Sequence, residues 1–519
     1  MNFKFYPIPK LPSLAWIAVA KRGENTVIVK HGTRVETCKQ FFVEGAWDDN
    51  YHSGRFDTSV VFMGTGARVT ENGIVFCSPS HNLERCYSIK KSEELYVSNS
   101  LGGLMAAAGE ELDPNHPFYY FDYIRCYRTG LRQTGHSLKV LSGRKILLHD
   151  CHNIRVDRNL TIESSMRSFG EPPLDFSDYF SFISESTNRL LANAADSIRS
   201  FAYKPLASIS RGYDSPATSV LAASFGCEDA FSFRKSHNMD NLNYADDNGR
   251  EIAEFLGMRC HEADRIDLCD APVSLLKQHF QNPFGSIVSS MDQVSSLLEG
   301  RIFITGRHGE HFWNLDRSRS LPNYQEPTAR KTLVQNTLEF RLSRGYIDFH
   351  LPYTLGVFAP ALLKISRSSE MRKFRIGGSY DRPIPRRIVE SAGVSRDKFG
   401  QNKMGGAEAG IRKCSFSKAA QEDFYEFYKD YVPEPIRDML HESKHGRFRF
   451  YEHGVAHGLD RWLRKQYGLR TISEHVLGFR NHQRRHSPFL YAFHWGFYDI
   501  RNQYQLALSD PSVNSAQCT

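Results

Sequence analysis

Between Leu206 and Thr218 the chain reads Leu-Ala-Ser-Ile-Ser-Arg-Gly-Tyr-Asp-Ser-Pro-Ala-Thr, and few folds accommodate that order. The apolar run Leu206 to Ser210 predicts a buried strand, Gly212 a sharp turn, and Ser215 to Phe225 a helix. Pro216 suits the first helical turn, where its missing N–H removes no bond. Strand, turn and helix together aim backbone N–H groups and the positive end of a helix dipole into one concavity, which favours an anion. Ser210 and Ser215 add hydroxyl donors, and Asp214 sets a carboxylate beside the anion, an arrangement that suits a phosphate sharing Mg²⁺ with the protein. An ordinary strand–turn–helix with an N-capping Asp would also read this way, but no Gly-Lys-Ser/Thr follows, so the loop is not a Walker sequence.

The surroundings favour the phosphate reading. A second strand is predicted over Ala230 to Phe233 and a helix over Asp247 to Leu256, stopped by Gly257. Strand, turn, helix, strand, helix is the pattern of a parallel α/β sheet. Upstream, Phe180, Ile183, Leu190, Leu191, Ala194 and Ile198 recur near helical spacing and predict a helix over Asp178 to Ser200. Pro172 and Pro173 punctuate a linker at Gly170 to Leu174. Before it, short apolar runs at Thr26 to Lys30, Ser59 to Met63, Gly73 to Cys77, Leu95 to Ser98 and Lys145 to Leu148 predict a strand-rich domain, with helices at Gly102 to Ala108 and His116 to Arg125. From Asp292 onward helical patterns dominate. The division expected is a β-rich domain over 1–168 and an α/β domain with a helical extension over 175–519.

Composition narrows the class. A length of 519 residues exceeds one ordinary core, and 40% hydrophobic with 24% charged residues excludes a mostly disordered or coiled-coil chain. A net charge of +8 over this length indicates solubility rather than a nucleic-acid stripe. Leu14 to Ala20, the longest apolar stretch near the start, is far short of the roughly 20 residues that span a bilayer. No basic-then-apolar leader precedes it, and the 10 cysteines include no C-x-x-C pair, so reduced thiols and a cytoplasmic location are expected.

Ser210-Arg211-Gly212-Tyr213-Asp214-Ser215 resembles the S-G-G-x-D-S loop of the ATP pyrophosphatases (PP-loop enzymes), specifically of the asparagine synthetase superfamily. Phe231-Ser232-Phe233, Asp246-Asp247 and Arg250 to Gly257 are similar to the second strand and helix of that domain. Ile304 to Phe312, with Thr305-Gly306 and Gly309-Glu310-His311, resembles its second loop, and Lys403-Met404-Gly405, after Arg396 and Lys398, its late Lys-x-Gly segment. Leu83 to Ala108, including Ser98 to Leu104, is loosely similar to part of the family's glutaminase-like (Ntn-type) domain.

The resemblance implies ATP- and Mg²⁺-dependent amide-bond formation through an acyl-adenylate, with release of AMP and pyrophosphate. It implies that Ser210, Gly212 and Ser215 cradle pyrophosphate, with Arg211 either contacting phosphate or pointing to solvent, that Asp214 and Glu310 bind Mg²⁺, that Ile209, Phe233, Thr305 and Gly306 line the adenosine, and that Lys403 stabilises charge on the α-phosphate and leaving group. Three departures stand out. Arg211 replaces the family's second glycine, Glu310 replaces its usual Asp, and Met1-Asn2 stands where glutaminase members carry a nucleophilic Cys. The resemblance is therefore to members without glutaminase activity, such as beta-lactam synthetases and lasso-peptide cyclases. The expected partner is a small-molecule or peptide carboxylate, with no membrane or nucleic acid; self-association is left open. A tRNA-modifying PP-loop enzyme and a non-catalytic nucleotide-binding homologue are the alternatives.

Other signals read as structural. His453 with His457, and His482 with His486, have zinc-ligand spacing but lack a third ligand, so helix surfaces are expected. The Arg-, His- and aromatic-rich stretch from Arg447 to Tyr504, with Arg484-Arg485-His486 and Phe493-His494-Trp495, reads as a helical cap. Asp246 and Asp247 are expected to cap the following helix, and Arg234-Lys235 lies where a parallel sheet presents ligands.

Overall fold

Thr26–His31 alternates half-buried and buried positions, with Val27, Val29 and His31 inward, the period of a strand that lays one face on a core. In a computed structural model, which describes residues 1–128, 135–238, 244–266, 271–280, 288–315, 337–378, 380–405, 417–441 and 488–510, that strand belongs to a seven-stranded sheet. Its order is Asn2–Pro7, Thr26–His31, Trp16–Lys21, Glu94–Ser98, Cys86–Lys91, Lys145–His149, Ser137–Lys139. The first pair is parallel and the rest are antiparallel. A second, six-stranded antiparallel sheet runs Ile162–Met166, His152–Val156, Gly73–Cys77, Phe62–Thr70, Phe41–Trp47, Glu36–Thr37. Trp16, Ala18, Val27 and Val29 of the first sheet meet Phe42, Ala67, Ile74 and Phe76 of the second in a shared apolar layer. Helix Leu101–Ala108, capped by Ser100 accepting from the Gly103 amide, packs on the first sheet.

Helix Phe176–Ala194 packs against Phe41–Trp47 of the second sheet. It ends short of the predicted Ser200 for a local reason. Asp196 Oδ1 accepts from the Ile198 amide at 2.9 Å, and Arg199 Nε donates back to the Asn193 carbonyl at 2.7 Å, so side chains take over from helical bonding.

A third sheet is wholly parallel, in the order Arg259–Ala263, Asp229–Phe233, Lys204–Ser208, Arg301–Thr305, Ile347–His350. The last two strands come from the region read as helical. Ile302 to Thr305, and all of Ile347–His350, are buried, so neither strand shows the alternation that marks a half-exposed one. The molecule is thus a mixed α/β protein with a β-rich amino-terminal region and a parallel sheet. From Lys204–Ser208 the chain adds two strands on one side and then two on the other. That reversal leaves a crevice at the carboxyl ends of Lys204–Ser208 and Arg301–Thr305. Helix Asp214–Ser224 leaves the first of these ends, and helix Pro383–Ser391 packs on it. A small antiparallel sheet of Tyr244–Asp246, Lys235–Asn238 and Met404–Gly405 carries Lys403 back toward the same end.

The helix predicted from Asp247 starts later, at Arg250–Phe255, and neither Asp246 nor Asp247 caps it. The Asp247 amide donates to the Arg234 carbonyl, and its carboxylate accepts from the Arg211 amide at 3.2 Å, so this residue is spent on the phosphate-type loop.

The parallel sheet and the sandwich join through a buried ion triad. Arg341, 1% exposed, donates to Glu84 Oε1 at 2.6 Å and to both Glu44 oxygens at 2.7 and 3.1 Å. Next to it, Glu339 accepts from Ser100 at 2.6 Å and from Tyr504 at 3.1 Å, and Tyr504 lies on Ala492–Leu508, a helix that packs on Leu101–Ala108. Phe493, His494 and Trp495 are buried at the start of that helix. The histidine pairs 453/457 and 482/486 and Arg484-Arg485 lie outside the described residues. Among the described residues no helix is long and apolar enough to cross a membrane, and the described cysteines are free thiols.

Candidate functional site

The loop that leaves Lys204–Ser208 is tied down on three sides. Ile209, buried, donates its amide to the Phe231 carbonyl at 2.8 Å. The Ser210 hydroxyl accepts from the Gly212 amide at 3.1 Å and bonds the Ser215 hydroxyl at 2.9 Å, closing the turn across the helix start. The Arg211 carbonyl accepts from Gly400, while its guanidinium turns outward to Asp246 at 2.8 Å. Arg211 therefore reaches the surface, leaving the concavity to smaller groups. Among the described residues the amides of Tyr213, Asp214 and Ser215 donate to no other group, so the start of Asp214–Ser224 keeps its anion-binding character. Tyr213 is buried against Tyr380 and Phe399 and accepts from Arg386.

The second loop closes directly on the first. A Cβ at Gly306 would stand 2.4 Å from the Asp214 carbonyl carbon, and one at Gly309 would stand 2.5 Å from Asp214 Cγ, so only glycine allows this approach. Between them His308 takes a left-handed φ of 66°, which turns the chain into the short helix Gly309–Phe312 that carries Glu310. Thr305 is buried, with its hydroxyl bonded to His350 Nδ1 at 2.9 Å.

Four charges then share one neighbourhood. Arg382, 2% exposed, donates to Asp214 Oδ2, while Asp214 Oδ1 has no hydrogen-bond partner. Burial raises the Asp214 carboxyl, Arg382 pulls it back down, and Glu310 adds to the rise. Glu310 ends on the other side of its ordinary value: burial would raise it, but Lys403, His311 and Arg382 together hold it well below the usual carboxylate range. Burial lowers the Lys403 ammonium, with Arg382 adding and Glu310, Asp214 and Asp247 opposing. Lys403 also lies 5.7 Å from the centre of the Tyr380 ring. Asp214, Glu310, Arg382 and Lys403 therefore lie close enough for each to shift the charge state of the others.

The structure therefore brings together Asp214, Glu310, Lys403, Ser210, Gly212, Ser215, Thr305 and Gly306. Ile209 lies in the core beneath them. Phe233 is half-buried one strand away, with the Arg265 guanidinium over its ring at 4.3 Å and Phe231 edge-on at 4.9 Å. Arg234 is engaged at the surface with Asp264 at 2.9 Å. Arg382, His308 and His311 escaped sequence reasoning. A signal for the first was present. Arg382-Pro383-Ile384-Pro385-Arg386-Arg387 opens a helix at prolines, and cations there oppose the helix dipole unless anions answer them.

The chain matches no protein-family model and no curated protein.

Proposed function

We propose that this protein is an ATP-dependent ligase that activates a carboxylate as its acyl-adenylate and passes the acyl group to an amine. The single observation that carries the reading is the meeting of Asp214, Glu310, Arg382 and Lys403 at the reversal point of the parallel sheet, beside three undonated helix-start amides. In this reading the sandwich is a glutaminase-like domain, and the parallel sheet is an ATP pyrophosphatase domain with a helical extension.

The residues suit the chemistry. Ser210, Ser215, Gly212 and the amides of 213–215 hold the departing pyrophosphate. Arg382 and Lys403 meet the negative charge that builds on the phosphate oxygens as the bond between the α- and β-phosphates breaks. Asp214 and Glu310 are hard oxygen donors, and Asp214 Oδ1 is buried without a partner, so the pair suits Mg²⁺, which would neutralise phosphate charge. Ile209, Phe233, Thr305 and Gly306 form the adenosine side. The substrate carboxylate oxygen attacks the α-phosphorus and pyrophosphate leaves. The amine nitrogen then attacks the acyl carbon, its proton is lost, and AMP departs with the electron pair of the broken C–O bond. In this reading the amine comes from the substrate itself or from a free amine, as in cyclisation of a peptide or another natural product.

ATP–pyrophosphate exchange across a panel of carboxylates tests the reading, because exchange reports adenylation before any amine is known. Carboxylate-dependent exchange that disappears in Asp214→Ala is the expected result. Turnover to ADP and phosphate with no AMP would overturn it.

A further inference from the structure

Two imidazoles flank Glu310, and they belong to no part of the ligase reading. One ligand atom from each of His308, Glu310 and His311 lies within 4.8 Å of the other two. His308 and His311 stack with ring centres 5.5 Å apart and planes 16° from parallel. Tyr353 stands edge-on to His308 at 5.8 Å and to Phe312 at 4.8 Å, backing the group with an aromatic wall.

Among the described residues, other buried histidines have a ring nitrogen engaged in a hydrogen bond. His350 bonds Thr305 at 2.9 Å, His149 bonds Ser88 at 2.8 Å, and His494 bonds the His116 carbonyl at 3.0 Å. His311 differs: it is 8% exposed and its Nδ1 has no hydrogen-bond partner. A buried polar atom left unsatisfied costs about 1–3 kcal/mol, which a purely structural residue has no reason to bear. The left-handed backbone of His308, a conformation that residues with a Cβ rarely take, is a second local cost at the same loop. Both are explained if the three side chains are shaped around an ion.

We infer that His308, Glu310 and His311 bind a divalent transition-metal ion in the nucleotide-free protein. Two neutral imidazoles and one carboxylate form a borderline donor set that suits Mn²⁺, Co²⁺ or Zn²⁺ better than Mg²⁺, which prefers oxygen ligands alone. Asp214 stands next to the group, its Cγ against the Gly309 backbone, so the ion would lie beside the phosphate-type loop. The inference does not depend on ATP turnover.

The test uses the full chain, stripped with a chelator and titrated with Co²⁺ alone, without nucleotide. Ligand-field absorption in the visible, saturating near one ion per chain and displaced by Zn²⁺, is expected, and excess Mg²⁺ should leave it intact. His311→Ala and Glu310→Gln should each weaken Co²⁺ binding at least tenfold, a modest figure beside the 10–100-fold that even a supporting contact costs. His308→Asn should do the same while keeping a residue tolerant of the left-handed backbone. The exposed His52→Ala serves as the unaffected control. Absence of Co²⁺ binding by the wild-type chain would overturn the inference, as would full retention in all three folded variants or displacement by equimolar Mg²⁺. Since no ATP is present, failure here leaves the exchange assay untouched, and failure of exchange leaves this result untouched.

Discussion

Arg382 closes an ion pair on Asp214 across 168 positions of sequence, and both side chains are largely withdrawn from water. The guanidinium thereby stands at the start of helix Asp214–Ser224, a place where a cation has meaning only with an anion beside it. Here that anion is Asp214; if the proposed nucleotide binds, its phosphate oxygens would compete for the same donor.

Arg382→Ala is expected to lower ATP–pyrophosphate exchange about 100- to 1,000-fold, the usual cost of removing one fixed donor from a developing charge. Circular dichroism of the variant reports whether the fold survives. Exchange within threefold of wild type in a folded variant would make Arg382 a structural partner of Asp214 and nothing more.

Gly309→Ala would set a methyl 2.5 Å from Asp214 Cγ. The two loops must then separate, with an expected stability loss of about 1–3 kcal/mol. ATP affinity should fall with it. Urea denaturation and equilibrium binding measure the two effects separately.

Arg341→Met leaves the carboxylates of Glu44 and Glu84 buried together without their cation. Breaking a buried pair this way costs about 3–5 kcal/mol. Denaturant midpoints should show it, and adding Glu84→Leu should recover part of the loss by removing one stranded charge.

Glu339 makes stability depend on pH. Burial pushes its carboxyl from 4.5 up to about 7, against the bonds from Ser100 and Tyr504 and the nearby Arg341 charge. Because the folded state holds the proton more tightly, this contribution is fully present below pH 4.5 and is lost as pH rises through about 7. The span is on the order of 3 kcal/mol. Glu339→Gln should flatten that part of the profile, read as urea midpoints between pH 4.5 and pH 8. An unchanged slope would refute the assignment.

Some elements were legible from the chain alone because their causes are local. The Leu206–Thr218 segment carries its own turn glycine, its own proline at the helix start and an apolar strand, and the structure places Lys204–Ser208 and Asp214–Ser224 there. Arg301–Thr305 and Ile347–His350 were misread because strands buried on both faces lose their alternation. Asp247 was misjudged as a cap because its proximity to a helix is visible in sequence, whereas its bond to the Arg211 amide is not.

The sequence by itself determined which segments form strand, turn and helix around the phosphate-type loop, since backbone preference and side-chain periodicity act over a few residues. It also supplied the acids and the lysine. Tertiary structure alone decided that Gly309 lies against Asp214, that Arg382 answers it, and that His311 is buried beside Glu310 with a nitrogen left over. Those relations depend on strand order in the parallel sheet and on close backbone approach, and both arise from packing among segments far apart in the chain.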